Sequence, residues 1–573
     1  EYTTAINKLN QSLGQGINSF KSPEEMAEIA ANVGSYTNWE KELLRNQTPQ
    51  SEHTVSISGG DEKIKFFTSL NYLSQSGITK SDCLSYDRYN YRSNVSAHFD
   101  KIGLTMGMNV NGTLTDEDYP NASAYTIYSR LKDRNPFERP YNEDGTISNQ
   151  FDNPALILDS PGEIVLRTVY NQLAVNLKWD LPWVKGLSIG MDGNYNIESQ
   201  DRKDWIEKAP YYDADGNVTL QDPADISMSR SSYQNHRYDF NVRIDYKNTF
   251  AEKHNVQATL VHNRQYYHGN NLSAGSNTFY TTAIQQIQKG DASSITASNG
   301  EGEQASMGYV GRLRYDYDNR YMVEFSGRYD GSDCFPKDNR FGFFPSVSAG
   351  WALSEENFFT PIKELGIFDY FKLRGSYGEI GINGAKHDDY AYMSTYNYNS
   401  NAYVIDGKLV NSITPGATPS INMTWYTRKK YDIGFDFATL NNKLEGSFDW
   451  FYETTKGYLS APLYEYTDPI GYSLPLEVSE AEDRSEGLDG FVKYSDKIGQ
   501  VEFSAGFNFT WYHSIAAKTN EDKVTLSNPY TRKQGYLYGY LGTGYVGTQF
   551  YTNPQDILNN PKRIKSQDLR PGD

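Results

Sequence analysis

The segment Arg340–Trp351, RFGFFPSVSAGW, decides how the rest of the sequence is interpreted, together with FKLRGSYGEIG at 371–381. In the first segment, Val347, Ala349 and Trp351 alternate with serine and glycine. A period of two places alternate side chains on opposite faces of a β-strand, and no helix produces that arrangement. Both segments are therefore predicted to be strands with one apolar face and one small, polar face.

The same two-faced pattern recurs in pairs along most of the chain. In the clearest pair, strands at 88–99 and 103–114 are separated only by Asp100–Ile102, which predicts a β-hairpin. Further hairpins are predicted for 173–181 with 187–197, 238–246 with 256–262, 309–317 with 321–329, 431–437 with 444–452, and a strand near Gly490 with 501–511. These patterns predict an all-β, antiparallel fold of about 17 strands.

The first 50 residues differ from the rest. SPEEMAEIAANV begins with Ser22 as a helix N-cap and Pro23 at the first helical position, and NWEKELLR follows. We therefore predict a helical lead-in at 1–50 and a sheet region at 51–573. The chain opens without a signal peptide and closes on the turn sequence DLRPGD, so we expect a piece of a longer protein.

Composition narrows the class of protein. Aromatic residues make up 14% of the chain and the mean hydropathy is −0.69, while no apolar run reaches the roughly 18 residues of a transmembrane helix. A transmembrane barrel combines low mean hydropathy with many aromatic residues, because only alternate side chains face lipid. The net charge of −18 argues against nucleic-acid binding. The eight histidines are scattered and no catalytic motif occurs, so we expect neither an enzyme nor a cofactor.

The connections between predicted strands are sorted by length. Tight turns alternate strictly with long irregular segments at 116–165, 199–233, 269–304, 381–424, 457–483 and 514–533. Alternate connections of a meander lie at opposite ends of the sheet, so all long loops would gather at one end. This arrangement is typical of an outer-membrane barrel with long extracellular loops and short periplasmic turns. Closure into a barrel also removes the exposed edges of such strands.

On this interpretation, Leu, Met, Phe and Tyr face lipid, and polar residues line a wet lumen. One inward set, whose charges are predicted to pair across strands and chiefly to brace the wall, is Arg237, Asp239, Asn241, Arg243 and Asp245. Tryptophans near predicted strand ends are expected to anchor at the membrane interface, and these are Trp179, Trp183, Trp425, Trp450 and Trp511.

Several long segments resemble the SusC/RagA family of TonB-dependent outer-membrane transporters of Bacteroidota. GSDCFPKDNRFGFFPSVSAGWALSEENFF at 331–359, followed by 371–381, resembles the signature region. EHTVSISGGDEKIKFFTSLNYLSQSGI with YDRYNYRSNV is similar to the early barrel strands, and TRKKYDIGFDFATLNNKLEGSFDWFYETTKG to the middle ones. GYLYGYLGTGYVGTQF with DLRPGD resembles the run before the last strands. These motifs occur in family order over essentially the whole chain.

The resemblance implies a transmembrane barrel of about 22 strands with a plug domain in its lumen. It implies location in the outer membrane, a SusD-like surface lipoprotein over the extracellular mouth, and TonB-driven import of an oligosaccharide or peptide. No plug, TonB box or last strands are recognised in this sequence, so contact with TonB would be made by an absent N-terminal plug. Cys334 stands where the family pattern leads us to expect a basic or polar residue.

The loop 381–424 is the strongest candidate for contact with a ligand or with the lid lipoprotein. It carries Tyr390, Tyr392, Tyr396, Tyr398 and Tyr403 among several asparagines. Aromatic faces stack on sugar rings and amides bond hydroxyl groups. The alternative is that these side chains only pack the loop. Trp205 is a weaker candidate of the same kind.

Two smaller features leave alternatives open. The acidic turns YNEDGTI at 141–147 and YYDADGNV at 211–218 could bind calcium, but the bidentate Glu that ends a calcium loop is missing, and Asp–Gly turns explain them equally well. Cys83 and Cys334 would form a disulfide only if their distant strands met, so free thiols are favoured.

Two other functions remain open at this point. An outer-membrane adhesin or structural barrel would bind a partner without transport and would need no plug. A soluble, β-rich glycan-binding protein would carry long loops at both ends of its sheet, which the sorting of connections disfavours.

Overall fold

The computed structural model describes residues 37–536 except 135, 137, 151, 160–161, 214, 223–224, 384–389, 461–474 and 476. Sixteen strands within this part form one antiparallel sheet, and each long strand pairs with the next along the chain. They are β1 (Gln50–Gly60), β2 (Ile64–Ser76), β3 (Ser85–Phe99), β4 (Leu104–Tyr119), β5 (Glu163–Asp180), β6 (Leu187–Ile206), β9 (Ser227–Phe250), β10 (His254–Ser276), β11 (Ile295–Tyr317), β12 (Tyr321–Ser332), β13 (Phe341–Ala352), β14 (Tyr370–Ile382), β17 (Tyr426–Thr439), β18 (Leu444–Lys456), β21 (Glu482–Ile498) and β22 (Val501–Lys518). The antiparallel meander predicted from the sequence is confirmed.

Short elements lie in the connections. Three two-stranded sheets pair β7 (Ala209–Tyr212) with β8 (Val218–Asp222), β15 (Tyr396–Ile405) with β16 (Lys408–Pro415), and β19 (Leu459–Ser460) with β20 (Glu477–Val478). The helices are α1 (Trp39–Leu43), α2 (Ala124–Asp133), α3 (Pro154–Leu158), α4 (Thr360–Glu364) and α5 (Lys523–Ser527). None of the described helices is long and apolar enough to cross a membrane. The helix predicted after Ser22 lies outside the described residues.

The strands are longer than the alternation of apolar residues suggested. β6 continues to Ile206 and β10 to Ser276, so the predicted loops 199–233 and 269–304 shrink to 207–226 and 277–294. Their last segments are mostly polar, without alternating apolar residues, yet the ladder of backbone hydrogen bonds continues. Alternating apolar residues mark a strand only where one of its faces meets lipid. The hydrogen-bonded strand continues beyond that point.

The two faces of the sheet match across neighbouring strands. Residues directly opposite each other share a face, and the apolar opposed pairs of β3 and β4 include Tyr89 with Leu114, Val95 with Met108 and Ala97 with Met106. The intervening pairs are polar, such as Asn90 with Thr113 and Asn94 with Asn109. The large apolar side chains of the first face are exposed. This is the predicted division into a lipid-facing and an inward face.

Aromatic rows border the apolar band on the lipid-facing side. Near the long-loop end, the ring of Tyr431 lies 4.9 Å from Tyr377 and 6.3 Å from Tyr452. One step beyond this row, outward-facing Lys429 and Glu379 form an ion pair of 2.9 Å. The transition from rings to charges places the boundary of the hydrocarbon layer at this row.

Four of the five predicted interface tryptophans are exposed. These are Trp179, Trp183, Trp450 and Trp511. Trp425 is different, because its indole nitrogen donates to the carbonyl of Arg340 at 3.0 Å and its ring packs 5.0 Å from that of Phe335. The prediction that Trp425 is a membrane anchor is therefore wrong.

The connections are sorted broadly as predicted, with three exceptions. One end carries the tight turns 61–63, 100–103, 181–186, 251–253, 318–320, 440–443 and 499–500, while 120–162, 207–226, 277–294, 383–425 and 457–481 lie at the other. One exception is 353–369, which joins β13 to β14 at the tight-turn end and contains α4. The others are 77–84 and 333–340, which lie at the long-loop end and have only eight residues each. Strict alternation of short and long connections is therefore wrong at these three places.

Buried apolar clusters occur in the connections. One contains Trp39 and Leu43 of α1, Ile127 and Leu131 of α2, and residues of α3. The large sheet is a single layer whose faces meet lipid and lumen, so it has no second layer against which to bury side chains. A soluble β-sandwich would instead hold its core between two sheets.

The ion pairs of the set 237–245 run along a single strand, which corrects the prediction that this set pairs across strands. Arg237 contacts Asp239 at 3.1 Å, and Arg243 contacts Asp245 at 2.6 Å. The same spacing of a cation two residues before an aspartate pairs Lys178 with Asp180, Arg202 with Asp204, Arg328 with Asp330 and Lys430 with Asp432. Residues i and i+2 of a strand share a face, so this spacing lets a strand neutralise its own charge.

Arg374 is the centre of a cluster that does cross strands. Its guanidinium lies 3.1 Å from Asp436 of β17, 2.6 Å from Asp449 of β18 and 3.8 Å from Asp432 of β17. The exposed fractions of the Arg374 and Asp449 side chains are 31% and 15%. The cluster therefore links β14, β17 and β18 through partly desolvated charges.

Replacing Arg374 with methionine should destabilise the barrel. The change leaves Asp436 and Asp449 without their shared cation, and we expect the free energy of unfolding to fall by ~2 kcal/mol, less than the 3–5 kcal/mol of a fully buried pair. Guanidinium unfolding of the full-length protein in detergent measures it. The matched control is Arg167→Met, which removes a more exposed cross-strand pair with Asp116 and should cost about 0–1 kcal/mol. Equal losses in the two variants would contradict a bracing role for the Arg374 cluster.

Candidate binding surface at the long-loop end

Asp333 ties the longest loops to the sheet. Its carboxylate accepts hydrogen bonds from the backbone N–H of Ala305 at 2.9 Å and from the Tyr390 hydroxyl at 3.0 Å, and its carbonyl accepts from the Tyr392 hydroxyl at 3.1 Å. Tyr390 also donates to the carbonyl of Glu303. The two tyrosines are partly buried here. They therefore hold the base of the loop 383–425 against the turn 333–340.

The residues after Asp333 form the packed floor under this loop. Cys334 is fully buried, and the amide of Gln304 donates to its sulfur at 3.0 Å. Phe335 packs in a cluster with Met423, Tyr426 and Leu459. A basic side chain at position 334 would place a charge in this closed site, so the cysteine fits the packing. Cys83 and Cys334 are not joined in a disulfide.

The hairpin of β15 and β16 extends from this floor and has two unlike faces. Pairing of Tyr398 with Ile413 and of Val404 with Leu409 places them on one face, with a bulge between the two pairs. This apolar hairpin face, which we define as Tyr396, Tyr398, Val404, Leu409 and Ile413, is exposed at every position, at 62–71%. The opposite face carries half-buried Asn399, Ser412 and Thr414, and also exposed Tyr403 and Ile405.

The predicted contact residues of loop 381–424 thus divide into two groups. Tyr390 and Tyr392 use their hydroxyls to anchor the loop. Tyr396 and Tyr398 stand in the apolar hairpin face with exposed rings, and Tyr403 is exposed on the opposite face beside Val410. Only the second group offers ring faces to a partner.

Trp205 is placed differently from the prediction. Its side chain is 0% exposed and packs with Met228 and with the ring of Phe279, 5.1 Å away. The indole nitrogen donates to the carboxylate of Glu207. The ring therefore offers no surface to a ligand or a lid, and it joins the loops 207–226 and 277–294 instead.

The two acidic turns lie side by side, but their carboxylates serve the turns themselves. The Asn142 side-chain amide donates to the carbonyls of Tyr212 and Asp213, both at 3.1 Å. Asp144 accepts from the Thr146 hydroxyl, and Asp213 accepts from the backbone N–H of Asn217 at 2.8 Å, and these hydrogen bonds lower the pKa of each carboxyl. In the described ranges no three acidic, histidine or cysteine side chains are grouped to hold a metal ion.

A shallow depression of about 270 Å³ lies on the inward face of β11–β14 and β17. Small residues form its floor, including Ser348, Gly350 and Ser376, and charged side chains border it, including Arg314, Glu324, Lys372 and Arg374. Glu324 is held by a bidentate contact with Arg312, at 2.8 and 2.7 Å. A polar segment passing along the wall would meet hydrogen-bonding groups that carry both positive and negative charge here. The side chains that line this depression are not arranged for covalent catalysis.

Comparison with known proteins agrees with this architecture. The profile described as TonB dependent receptor-like, beta-barrel matches residues 107–568. The chain belongs to the TonB-dependent receptor β-barrel family. It is similar to the TonB-dependent receptor SusC of Bacteroides thetaiotaomicron, with 23% identity over 94% of this chain and 54% of the relative. It is also similar to the TonB-dependent receptor P3 of Formosa agariphila, with 25% identity over 85% of this chain and 47% of the relative.

The fold agrees with solved members of the family. The structure of the RagAB peptide importer in the open-open state superposes with a TM-score of 0.71 at 19% identity, over 85% of this chain and 52% of that one. The chain thus spans about half the length of the relatives it matches. The predicted SusC/RagA resemblance and outer-membrane location are confirmed, and the family is one of receptors and transporters, not enzymes.

The sequence analysis missed Asp333 and the aliphatic half of the apolar hairpin face. Asp333 lies in a turn whose importance comes from Tyr390 and Tyr392, more than 50 residues away, and local sequence does not reveal such a contact. The hairpin did carry a signal. Asp406 and Gly407 both have positive φ, 50° and 75°, and an Asp-Gly pair between apolar residues is a strong hairpin signature.

Trp205→Ala should loosen the extracellular loops and leave the barrel folded. Truncation of a fully buried indole typically costs about 3–5 kcal/mol, and the packing of this ring joins the loops 207–226 and 277–294. We expect faster limited proteolysis within those two loops of the full-length protein, with an unchanged heat-modifiable band on gels. The control Trp183→Ala removes an exposed ring and should leave the cleavage rate unchanged. Normal loop cleavage in Trp205→Ala would contradict the packing role.

Loop 277–294 should also respond to acid through Asp291. Hydrogen bonds from Ser293 and Tyr280 lower the pKa of this carboxyl to about 2 from its ordinary 3.8. A lowered folded pKa means that the stabilisation is complete above the ordinary value and is lost as pH falls through about 2. Pepsin cleavage of the loop should therefore be faster in Asp291→Asn than in the wild type at pH ~4, and the difference should vanish below pH ~2. A difference that persists unchanged at the lowest pH would contradict this role of the ionised carboxylate.

Proposed function

We propose that the full-length protein imports an oligosaccharide or a peptide across the outer membrane, driven by TonB, beneath a SusD-like surface lipoprotein. The observation that carries the proposal is the apolar hairpin face, which stands exposed at the long-loop end of a family barrel. The relatives support the proposal by analogy. One similar protein is named TonB-dependent receptor SusC, and one solved structure with a similar fold is that of the RagAB peptide importer.

The inward face suits passage of a polar cargo. Its ion pairs form both along single strands and between neighbouring strands, so the wall presents charged hydrogen-bonding groups of both signs. Such a wall would let a sugar or peptide exchange hydration water for side-chain contacts without being held tightly. No covalent step is required. In this proposal, coupling to TonB belongs to a plug domain in the lumen, and the cargo moves when that plug rearranges.

The apolar hairpin face would meet either the lipoprotein or the cargo. Five exposed apolar side chains on one side of a two-stranded sheet are unfavourable in water, so covering them releases free energy. Tyr396 and Tyr398 add flat rings, which are frequent in protein interfaces and also stack on sugars. We favour the lipoprotein as the partner, because three of the five residues are aliphatic and offer a sugar no hydrogen bond.

An adhesin or structural barrel is the second candidate. The same exposed face would then bind an external partner, and no cargo would cross the membrane. The two functions differ in their need for energy, since only import depends on TonB.

The first test is affinity purification of the full-length protein from native outer membranes, followed by mass spectrometry of bound molecules. Import predicts a surface lipoprotein in near-equal amount, and a retained glycan or peptide would identify the cargo class. A TonB-deletion strain should lose growth on that cargo while it retains the complex. A barrel that comes out alone, or cargo-dependent growth without TonB, would contradict the proposal and favour the adhesin.

Substituting both Tyr396 and Tyr398 with alanine should weaken the complex with the lipoprotein. Truncating two central interface rings typically costs about 2–4 kcal/mol of binding free energy, so we expect loss of most of the co-purified lipoprotein. Tyr403→Ala is the matched control, because Tyr403 is equally exposed on the other face of the same hairpin. If the double variant retains the lipoprotein and instead loses cargo binding, the apolar hairpin face contacts the cargo.

A further inference from the structure

The connection 353–369 differs from its neighbours in length and in direction. It is the longest connection at the tight-turn end of the described sheet, and it contains two 3₁₀ turns, Leu353–Glu355 and Asn357–Phe359, followed by α4. The other turns at this end reverse the chain directly. This one first leaves the sheet and returns at Tyr370, where β14 begins.

Ring contacts show that the connection folds outward, against the lipid-facing side of the sheet. Phe358 lies 6.3 Å from Trp351, edge to face, and Phe359 lies 6.3 Å from Phe371. Phe368 packs 6.2 Å from Phe437. Trp351, Phe371 and Phe437 belong to the same outward face, since Trp351 stands opposite Leu373 and Phe371 stands opposite Phe437.

Several charges of the connection have local partners. The Glu356 carboxylate accepts from the Trp351 indole at 3.1 Å and from the Tyr321 hydroxyl, and it lies 3.5 Å from the Arg320 guanidinium. Lys363 and Glu355 form an ion pair of 3.1 Å. These contacts fix the connection to the ends of β12 and β13, while the Glu364 side chain is exposed.

The outer edge is apolar and uncovered. Phe358, Leu365 and Ile367 are exposed by 61%, 74% and 51%, while neighbouring Phe359 is buried. Isolated exposed apolar residues are common, but Phe358 packs against Trp351, which stacks with Tyr321 on the lipid-facing side, and Leu365 and Ile367 follow in the same connection. Aromatic and aliphatic residues at this level of a membrane barrel lie at the boundary between headgroups and acyl chains.

We propose that 353–369 is a membrane-interfacial foot, whose edge of Phe358, Leu365 and Ile367 inserts into the periplasmic leaflet of the outer membrane. The occupant of this apolar edge is phospholipid, because the edge is continuous with the surface that already faces lipid. The foot widens the barrel at one point of its periplasmic rim and binds the leaflet there by burying apolar side chains. The proposal does not depend on transport or on the identity of the cargo.

Nitroxide labels test the insertion in the full-length protein reconstituted into phospholipid bilayers. Single cysteines would replace Leu365, Ile367 and, as controls, Glu364 in α4 and Glu252 in the β9–β10 turn, in a background in which Cys83 and other exposed cysteines are serine. Buried Cys334 stays in place. Heat-modifiable migration on gels confirms folding of each variant.

Collisions with oxygen, which concentrates in the bilayer, are compared with collisions with a water-soluble nickel chelate. Insertion predicts that labels at 365 and 367 collide more with oxygen than with nickel, and that labels at 364 and 252 show the reverse. Equal nickel accessibility at 365 and 364 would overturn the proposal, since the edge would then lie in water. Protection of 365 and 367 from both reagents would also overturn it, because a second copy of the chain or a periplasmic protein would then cover the edge.

Discussion

The requirement that every backbone N–H and C=O inside a hydrocarbon layer be paired governs this structure. Sixteen strands meet that requirement by pairing with their neighbours in an antiparallel register, which shifts only at Glu482/Asp483 between β21 and β22 within the described sheet. Because the sheet is one layer, its side chains cannot form a core of their own. One face contacts lipid and the other lines the lumen. Buried apolar clusters lie in the connections instead, where α1, α2 and α3 pack together. The period-two sequence, the short turns and the loop-borne cores all follow from this single constraint.

The sequence was most informative where the surroundings of a strand alternate. The hairpin around Asp100–Ile102 and the pair of strands at 340–351 and 371–381 were predicted because lipid selects apolar residues at every second position. It was least informative where strands rise above the membrane. There β6 and β10 continue through mostly polar residues that show no period-two alternation, since neither face meets lipid. The connection 353–369 was not singled out because the sequence between the predicted strands at 340–351 and 371–381 carries no period-two pattern.

The candidate surface shows a similar limit. An aromatic-rich loop was predicted correctly as a feature of the mouth, but residue type alone did not separate its tyrosines. Tyr390 and Tyr392 hold the loop through Asp333, and Tyr396 and Tyr398 stand on an exposed face. That separation depends on the bulge in β15, which decides which side chains share a face with Val404 and Leu409. Trp205 illustrates the same point, since this buried tryptophan anchors the loops beside it and does not contact a ligand.

The spacing of a cation two residues before an aspartate, seen in β5, β6, β9, β12 and β17, bears on how such barrels diversify. A wall whose charges paired only between strands would tie each strand to its neighbours, and a change in one would leave a charge unpaired in the next. Here many strands carry their own counter-ion. A pair of this kind could be exchanged with its strand by recombination with a related gene, and neither of its two charges would be left unpaired in the neighbouring strand. The Arg374 cluster, which joins three strands, would mark the segment that has to be inherited as a block.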